Sequence, residues 1–308
     1  MGCCSGRVDA AIKKDAKSKE SNHEESESKP EEHDNKGDAH NPHSEEKKGK
    51  SDSHKEEKKE HKGEESKKGP EKKPDQAGGH AGSLIARGDK LLKRVGPAEF
   101  KFYTSLFDEE NKDEDLIELR KFVPKYFEVE QIEGKDYLVL ENLLTDYDHP
   151  NILDCKIGKV TWTPDHNERK TADQKKKAET TTTGSLGFRI SGLVVKDEHG
   201  AVVESFAKEE GFYGISPENI HEFFKKIVGE DKKQVKKFIR QTGKIIDWFK
   251  KQRSKIFFTA SVFYVFGKNG KSQTRFIDFA HVYDAHGKED ENVIQGLESV
   301  VEIWKRLL

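Results

Sequence analysis

The sequence predicts an α+β fold of two lobes, a small antiparallel-sheet lobe and then a larger mixed lobe, behind a disordered charged tail. Three observations predict it. The composition splits near Gly79: almost no large apolar side chain precedes it, and ordinary globular patterning follows. Residues 126–132 and 137–140 read as two strands joined by a Glu133-Gly134 turn. Beyond residue 143 helix and strand patterns are mixed, so a strand-rich unit is followed by a mixed one. The expected organisation is a tail over 1–79 and a folded domain over 80–308, with lobes of about 80–143 and 144–308.

The tail comes first. The 308 residues carry 56 basic and 58 acidic side chains, and the net charge of −2 conceals local runs of both signs. The opening Met-Gly-Cys-Cys makes Gly2 a candidate for myristoylation and Cys3 and Cys4 candidates for palmitoylation. Gly6 stands where that motif takes Ser or Thr. Two or three acyl chains make a stable membrane anchor where one does not. No apolar run approaches the ~18 residues of a membrane span, and no secretory h-region follows Met1. Three cysteines cannot build a disulfide framework. A cytosol-facing protein tethered by its N-terminus is expected. Residues 15–75 offer no apolar face and read as a solvated spacer, histidines included. A flexible coil of about 65 residues spans roughly 45 Å.

The folded elements follow in order. Leu91-Leu92 and Lys93 form a short apolar run. An amphipathic helix then carries Phe100, Tyr103, Leu106 and Phe107 at helical spacing. After the strand pair at 126–140, residues 151–157 read as a strand and 165–179 as a basic helix. Residues 184–195 read as a strand, and 219–228 and 235–254 as amphipathic helices. Residues 256–267 and 274–283 read as a strand pair about the Lys268-Asn269-Gly270 turn. A helix over 292–308 closes the chain. A cleft between the lobes suits a nucleotide.

Pro150 to Gly158 spells Pro-x-x-x-Asp-x-Lys-x-Gly. On a strand, Asp154 and Lys156 point to one face, and the glycine lets a phosphate approach the backbone. Cys155 points the other way and reads as packing. About 120 residues later, Ile277-Asp278-Phe279-Ala280-His281 supplies a second acid, a separation one domain closes easily. Together the two segments read as a phosphoryl-transfer site. Between them lie Arg169, Lys170, Lys175, Lys176 and Lys177, and on a helix Lys170, Gln174 and Lys177 share one face.

These motifs resemble those of the inositol polyphosphate kinases, across roughly residues 80 to 308. The stretch 150–158 is similar to the family signature, 261–266 to its serine-bearing strand with Ser261 retained, 277–281 to its metal-binding motif, and 180–192 to its substrate-side strand. Ala280-His281 argues against the dedicated trisphosphate 3-kinases, and residues 277–299 are most similar to the multikinase branch, with the hexakisphosphate kinases as the near alternative. The resemblance implies a two-lobed kinase-like fold, ATP and Mg²⁺ as cofactors, and transfer of the γ-phosphate to inositol tris- and tetrakisphosphates. It implies that Lys93 contacts the ATP phosphates, with Lys90 and Arg94 as neighbours that compete for that role. Glu141 and Leu143 become the adenine-binding hinge. Asp154 binds the ribose and orients substrate, and Lys156 sits between the γ-phosphate and the attacking hydroxyl. Asp278 and His281 are the metal candidates. Lys170, Gln174, Lys177, Arg189, Lys156 and His281 face the substrate, a many-cation set suited to a polyanion.

Alternative readings keep part of this. The acceptor is a membrane phosphoinositide, or a hexakisphosphate converted to a pyrophosphate, or the chain binds inositol phosphates without turnover. The basic, Trp248-bearing segment 243–255 resembles a calmodulin target, but Ile245, Ile246 and Phe249 read as core contacts. No nucleic-acid partner is expected, and the chain is read as a monomer.

Overall fold

The computed structural model describes residues 83–207 and 214–308. The tail with Gly2, Cys3 and Cys4 lies outside the described residues. Both lobes belong to one compact unit.

In the smaller lobe, β1 (Leu84–Arg87) and β2 (Lys90–Arg94) form a hairpin turned at Gly88, whose φ of 59° glycine takes without strain. Helix α1 (Pro97–Leu106) begins on a proline, which lacks the donor that a first turn cannot use. Its buried face is Glu99, Tyr103 and Leu106, at the i, i+4, i+7 spacing. A short α2 (Glu114–Leu119) is capped by Asp113, which accepts from the backbone N–H groups of Asp115 and Leu116. Strands β3 (Tyr126–Ile132) and β4 (Lys135–Glu141) are the expected hairpin, and Glu133 and Gly134 both take positive φ. The antiparallel sheet runs β1-β2-β4-β3. Lys93 therefore sits on an inner strand. Neither β1 nor α2 was expected, because four and six residues are too few to establish a period.

The larger lobe is built on a five-stranded antiparallel sheet, β10-β9-β5-β6-β7. Its members are β5 (Asn151–Ile157), β6 (Phe188–Lys196), β7 (Val202–Ala207), β9 (Ser261–Phe266) and β10 (Ser272–Ile277). The central β5 is covered on both faces, so Ile152, Leu153, Cys155 and Ile157 are all buried. Helices α5 (Ile220–Val228), α6 (Lys232–Lys251) and α7 (Glu291–Lys305) supply apolar faces to a core in which Phe224, Phe238 and Tyr264 pack around Trp304 at ring-centroid distances of 4.7 to 5.3 Å. Ile245, Ile246, Trp248 and Phe249 are buried in that core, and the Trp248 indole donates to the Asp115 carbonyl. The calmodulin-like pattern is thus a packing pattern.

Two expectations need correction. Residues 184–186 are not strand: Thr182–Leu186 forms a one-turn helix α4 after α3 (Glu168–Thr180), and β6 starts only at Phe188. The expected long strand pair over 256–283 is broken. β8 (Lys255–Phe258) pairs with β11 (His281–Asp284) as a separate ribbon, while β9 pairs with β10. Thr259 and Asp278 take φ of 58° and 68° at the two sides of the break.

Gly158 also has a different reason from the expected one. It has φ 105°, its N–H donates to the Gly187 carbonyl, and a Cβ there would meet Asn292 of α7 at 2.5 Å. It serves the close approach of α7, whose own Gly296 would place a Cβ 2.4 Å from the Gly187 carbonyl and 2.8 Å from Ile157. Backbone cannot yield as a side-chain tip can, so Gly296→Ala is expected to destabilise the protein by about 2–4 kcal/mol. Urea unfolding checks this, and an unchanged midpoint would mean that α7 shifts freely.

A candidate phosphoryl-transfer site between the lobes

The break in the ladder creates the site. Phe258 pairs with His281 on one side of it and Ser261 with Ile277 on the other, so Thr259, Ala260 and Asp278 to Ala280 leave the sheet together. Released from pairing, the Thr259 carbonyl accepts from Lys156 Nζ at 2.9 Å. Asp278 Oδ1 accepts from Lys93 Nζ at 2.6 Å, joining the small lobe to the large one. An aspartate tolerates the left-handed backbone at this position better than most residues.

Lys93 has a second partner that the sequence reading missed. Glu99, on the buried face of α1, accepts from Lys93 Nζ at 2.6 Å and from the Phe279 N–H at 3.2 Å. One carboxylate thus holds both the lysine and the loop that carries Asp278. Glu99 is only 6% exposed. An acid in an otherwise apolar i, i+4, i+7 row was the available signal. Lys90 turns instead to Glu128 and the Phe127 ring, and Arg94 is exposed, so of the three Lys93 is the one paired with Asp278. Glu99→Gln removes a charge and keeps an acceptor. It is expected to lower kcat/KM for the phosphoryl donor by about 10- to 100-fold through a mobile Lys93. Unchanged kinetics would show that Asp278 alone positions Lys93.

Asp154 and Lys156 lie on β5 as expected. Opposite Asp154, β6 bulges: Gly192 pairs with Asp154 and Ile190 with Cys155, leaving Ser191 as the extra residue. The bulge aims the Ser191 hydroxyl at Asp154 Oδ1, to which it donates at 2.7 Å. Burial, then the nearby Asp278 charge, push the Asp154 carboxyl up to about 6, against the Ser191 hydrogen bond and Lys156. Burial also opposes ionisation of Asp278, but Lys93 and Lys156 outweigh it and hold its pKa below the usual value. Lys93 moves the other way: its ammonium is favoured by Asp278 and Glu99 over the cost of burial. Burial lowers the Lys156 pKa, with Arg189 and Lys93 adding to it against the two aspartates. The result is two carboxylates and two ammonium groups interleaved in one partly dry place.

Among the described residues no group of three or more His, Cys, Asp or Glu side chains is placed to hold a metal. Asp278, held ionised, does fit a hard divalent cation such as Mg²⁺, which takes one or two carboxylates and completes its shell with phosphate oxygens and water. His281 begins β11 beside other groups. Its ring lies edge-to-face on His166 at 5.4 Å, and burial, His166 and Lys170 together lower its pKa. Lys170 of α3 is therefore at the site, and His166 is an unforeseen neighbour. Gln174 and Lys177, half-buried, continue the same face of α3, whereas Lys175 packs over the Trp162 ring. Arg189 faces Lys156 across the β5–β6 ladder, is 6% exposed, and donates to the Thr183 hydroxyl at 3.0 Å. Burial lowers its pKa to about 10. At the expected hinge, Glu141 ends β4 with its N–H donating to the Lys125 carbonyl, and the Leu143 carbonyl accepts from Gln273 at 2.6 Å.

Comparison with known proteins bears on this geometry. The family model described as inositol polyphosphate kinase matches residues 137–305, more than half of the chain. Inositol polyphosphate multikinase alpha of Arabidopsis thaliana is 30% identical over 266 residues, covering 75% of this chain and 91% of that protein. The multikinase of Mus musculus is 27% identical over 216 residues, covering 64% and 53%. A crystal structure of the multikinase of S. cerevisiae, in complex with ADP and Mn²⁺, superposes with a TM-score of 0.61 at 24% identity, covering 71% of this chain and 99% of that one. A second multikinase structure gives 0.58 at 28% identity, covering 68% and 99%. The chain belongs to the inositol polyphosphate kinase family, in its multikinase branch, and is by that membership a phosphotransferase with an alcohol acceptor.

Proposed function

We propose that this protein transfers the γ-phosphoryl group of ATP, with Mg²⁺, to hydroxyls of soluble inositol tris- and tetrakisphosphates. The observation that carries the reading is the contact at 2.6 Å between Lys93 of the small lobe and Asp278 of the large one, within electrostatic reach of Asp154 and Lys156. When bound, the metal neutralises phosphate charge. Asp278 would hold it, through carboxylate lone pairs that Lys93 does not occupy. Lys93, positioned by Glu99, would meet the donor's phosphates with its ammonium. Asp154, oriented by Ser191, accepts hydrogen bonds from the ribose. The backbone at Glu141 and Leu143 receives the adenine. Lys156 stabilises the charge that develops as phosphoryl passes to the acceptor.

On the acceptor side, Lys170, Gln174 and Lys177 present one polar face, and His281 with His166 closes it. Their cationic surroundings favour His281 as a contact to acceptor phosphate over metal ligation. Arg189, buried behind Lys156, acts as a positioning residue more than a direct clamp. The acyl anchor at Gly2, Cys3 and Cys4 is part of the proposal and rests on the adjacent cysteines behind Gly2. A Gly2→Ala form that stays in the membrane fraction rejects it.

The test is turnover of the full-length protein with labelled ATP and Mg²⁺, using inositol trisphosphate, inositol hexakisphosphate and phosphoinositide vesicles as separate acceptors. Label on the trisphosphate is expected. Label on the hexakisphosphate alone assigns pyrophosphate synthesis, label on vesicles alone assigns a lipid kinase, and label on none leaves a binding protein.

A further inference from the structure

Helix α6 carries an uncompensated row of cations. Lys233, Lys236, Lys237, Arg240, Lys244 and Lys251 follow one another at spacings that keep them on one side of the helix, with Asp247 the one acid among them. The opposite side is Val235, Phe238, Thr242, Ile245, Ile246 and Phe249, all buried. From Lys233 to Lys251 the row is about 27 Å long. Among the described residues none of the six forms an ion pair, although Lys250 and Lys255 nearby are paired with Glu298 and Asp284. Like charges at i, i+4, as in Lys233/Lys237, Lys236/Arg240 and Arg240/Lys244, weaken a helix.

 Such a face is tolerated in a folded protein when something outside it supplies the negative charge.

Two cavities open along this row. One of about 620 Å³ is lined by Lys233, Gln234, Lys236, Lys237, Arg240 and Gly270. Its acid, Asp231, is occupied in capping the helix through the Gln234 N–H. The other, about 470 Å³, lies further along, where Lys121 and Arg275 join Lys244 and Lys251, with Asp247 and Glu118, the latter paired with Lys121, as its acids. Gly270 is eight residues before Asp278 on an extended segment, which puts the first cavity roughly 25 Å from the transfer site. The cations of that first cavity therefore do not serve the acceptor.

We propose that this face of α6 is a docking surface for a membrane bearing anionic lipid. The row is long and straight, which matches an extended surface of headgroups. The helix itself presents no exposed aromatic ring on which a base could stack, since Phe238, Trp248 and Phe249 are buried. The candidate acyl sites at Gly2, Cys3 and Cys4 give the same chain an independent membrane signal, and a lipid chain with a polybasic patch is the combination that anchors stably.

The test uses the full-length protein made without acylation, sedimented with phosphatidylcholine vesicles with and without phosphatidylserine. It reads binding without turnover, so its failure is separate from any failure of the kinase assignment. Wild type is expected to pellet only with the anionic vesicles, less so as salt rises. The triple variant Lys237→Gln, Arg240→Gln, Lys244→Gln is expected to bind on the order of 100-fold more weakly. Its turnover of soluble acceptor should be unchanged. The charge-conserving Lys237→Arg, Lys244→Arg variant should pellet like wild type. Equal pelleting of the triple variant, or no pelleting of wild type, overturns the proposal. So does binding of duplex DNA or inorganic tripolyphosphate through these residues when vesicles are not bound.

Discussion

Asp278→Asn is expected to lower kcat by on the order of 10³-fold while leaving the melting temperature close to wild type. The two halves of that expectation have different causes. Asparagine keeps the size of the side chain and an oxygen that can still accept from Lys93. It is also as tolerant of the left-handed φ of 68° as aspartate is. The fold has little reason to change. The charge is another matter: Asp278 is held ionised by Lys93 and Lys156, and a neutral amide offers a poor ligand to a divalent cation. Steady-state turnover across a range of Mg²⁺ concentrations checks it. Residual activity within about tenfold of wild type would remove Asp278 from metal binding.

The contrast between Asp278 and Glu99 shows what the sequence makes legible. Asp154, Lys156 and Asp278 stand in short motifs where spacing alone fixes the face, and the structure brings them together with Lys93. Glu99 has no motif. It looks like an ordinary first-turn acid, and only the burial of Tyr103 and Leu106 on its side of α1 gives it away. The ladder break is harder still. Residues 256–267 and 274–283 are rich in Phe, Val and Tyr and read as unbroken strands, because the positive φ at Thr259 and Asp278 is imposed by tertiary contacts. The bulge at Ser191 is hidden for the same reason. Gly158 shows the converse error. Its place in the signature suggested a phosphate contact, whereas the clash with Asn292 shows a packing role that depends on a helix more than 130 residues away. Local propensity located most elements; where two segments meet, and what each residue meets there, is set by the whole fold.

Lys156→Ala is expected to lower kcat by on the order of 10³-fold with little change in KM for ATP, since its ammonium acts on charge that develops during transfer. Lys156→Arg is not expected to rescue. The amine is half-buried, donates to the Thr259 carbonyl at 2.9 Å and feels the charge of Arg189, so a bulkier, planar guanidinium does not reproduce its compact point charge there. A second readout separates this role from simple loss of packing. Lys156 is one of the cations that hold the Asp154 and Asp278 carboxyls ionised. Removing it takes away an attractive charge and leaves the two acids facing each other, so both carboxyls titrate at higher pH. In wild type the Asp154 carboxyl sits at about 6, and activity that needs its ionised form falls as pH drops through that value. In Lys156→Ala the acid limb of kcat/KM for the residual activity should therefore move upward from about 6, toward neutral pH. An acid limb that stays in place, with kcat reduced, would show that Lys156 touches the transferring phosphoryl group without governing the carboxylates beside it.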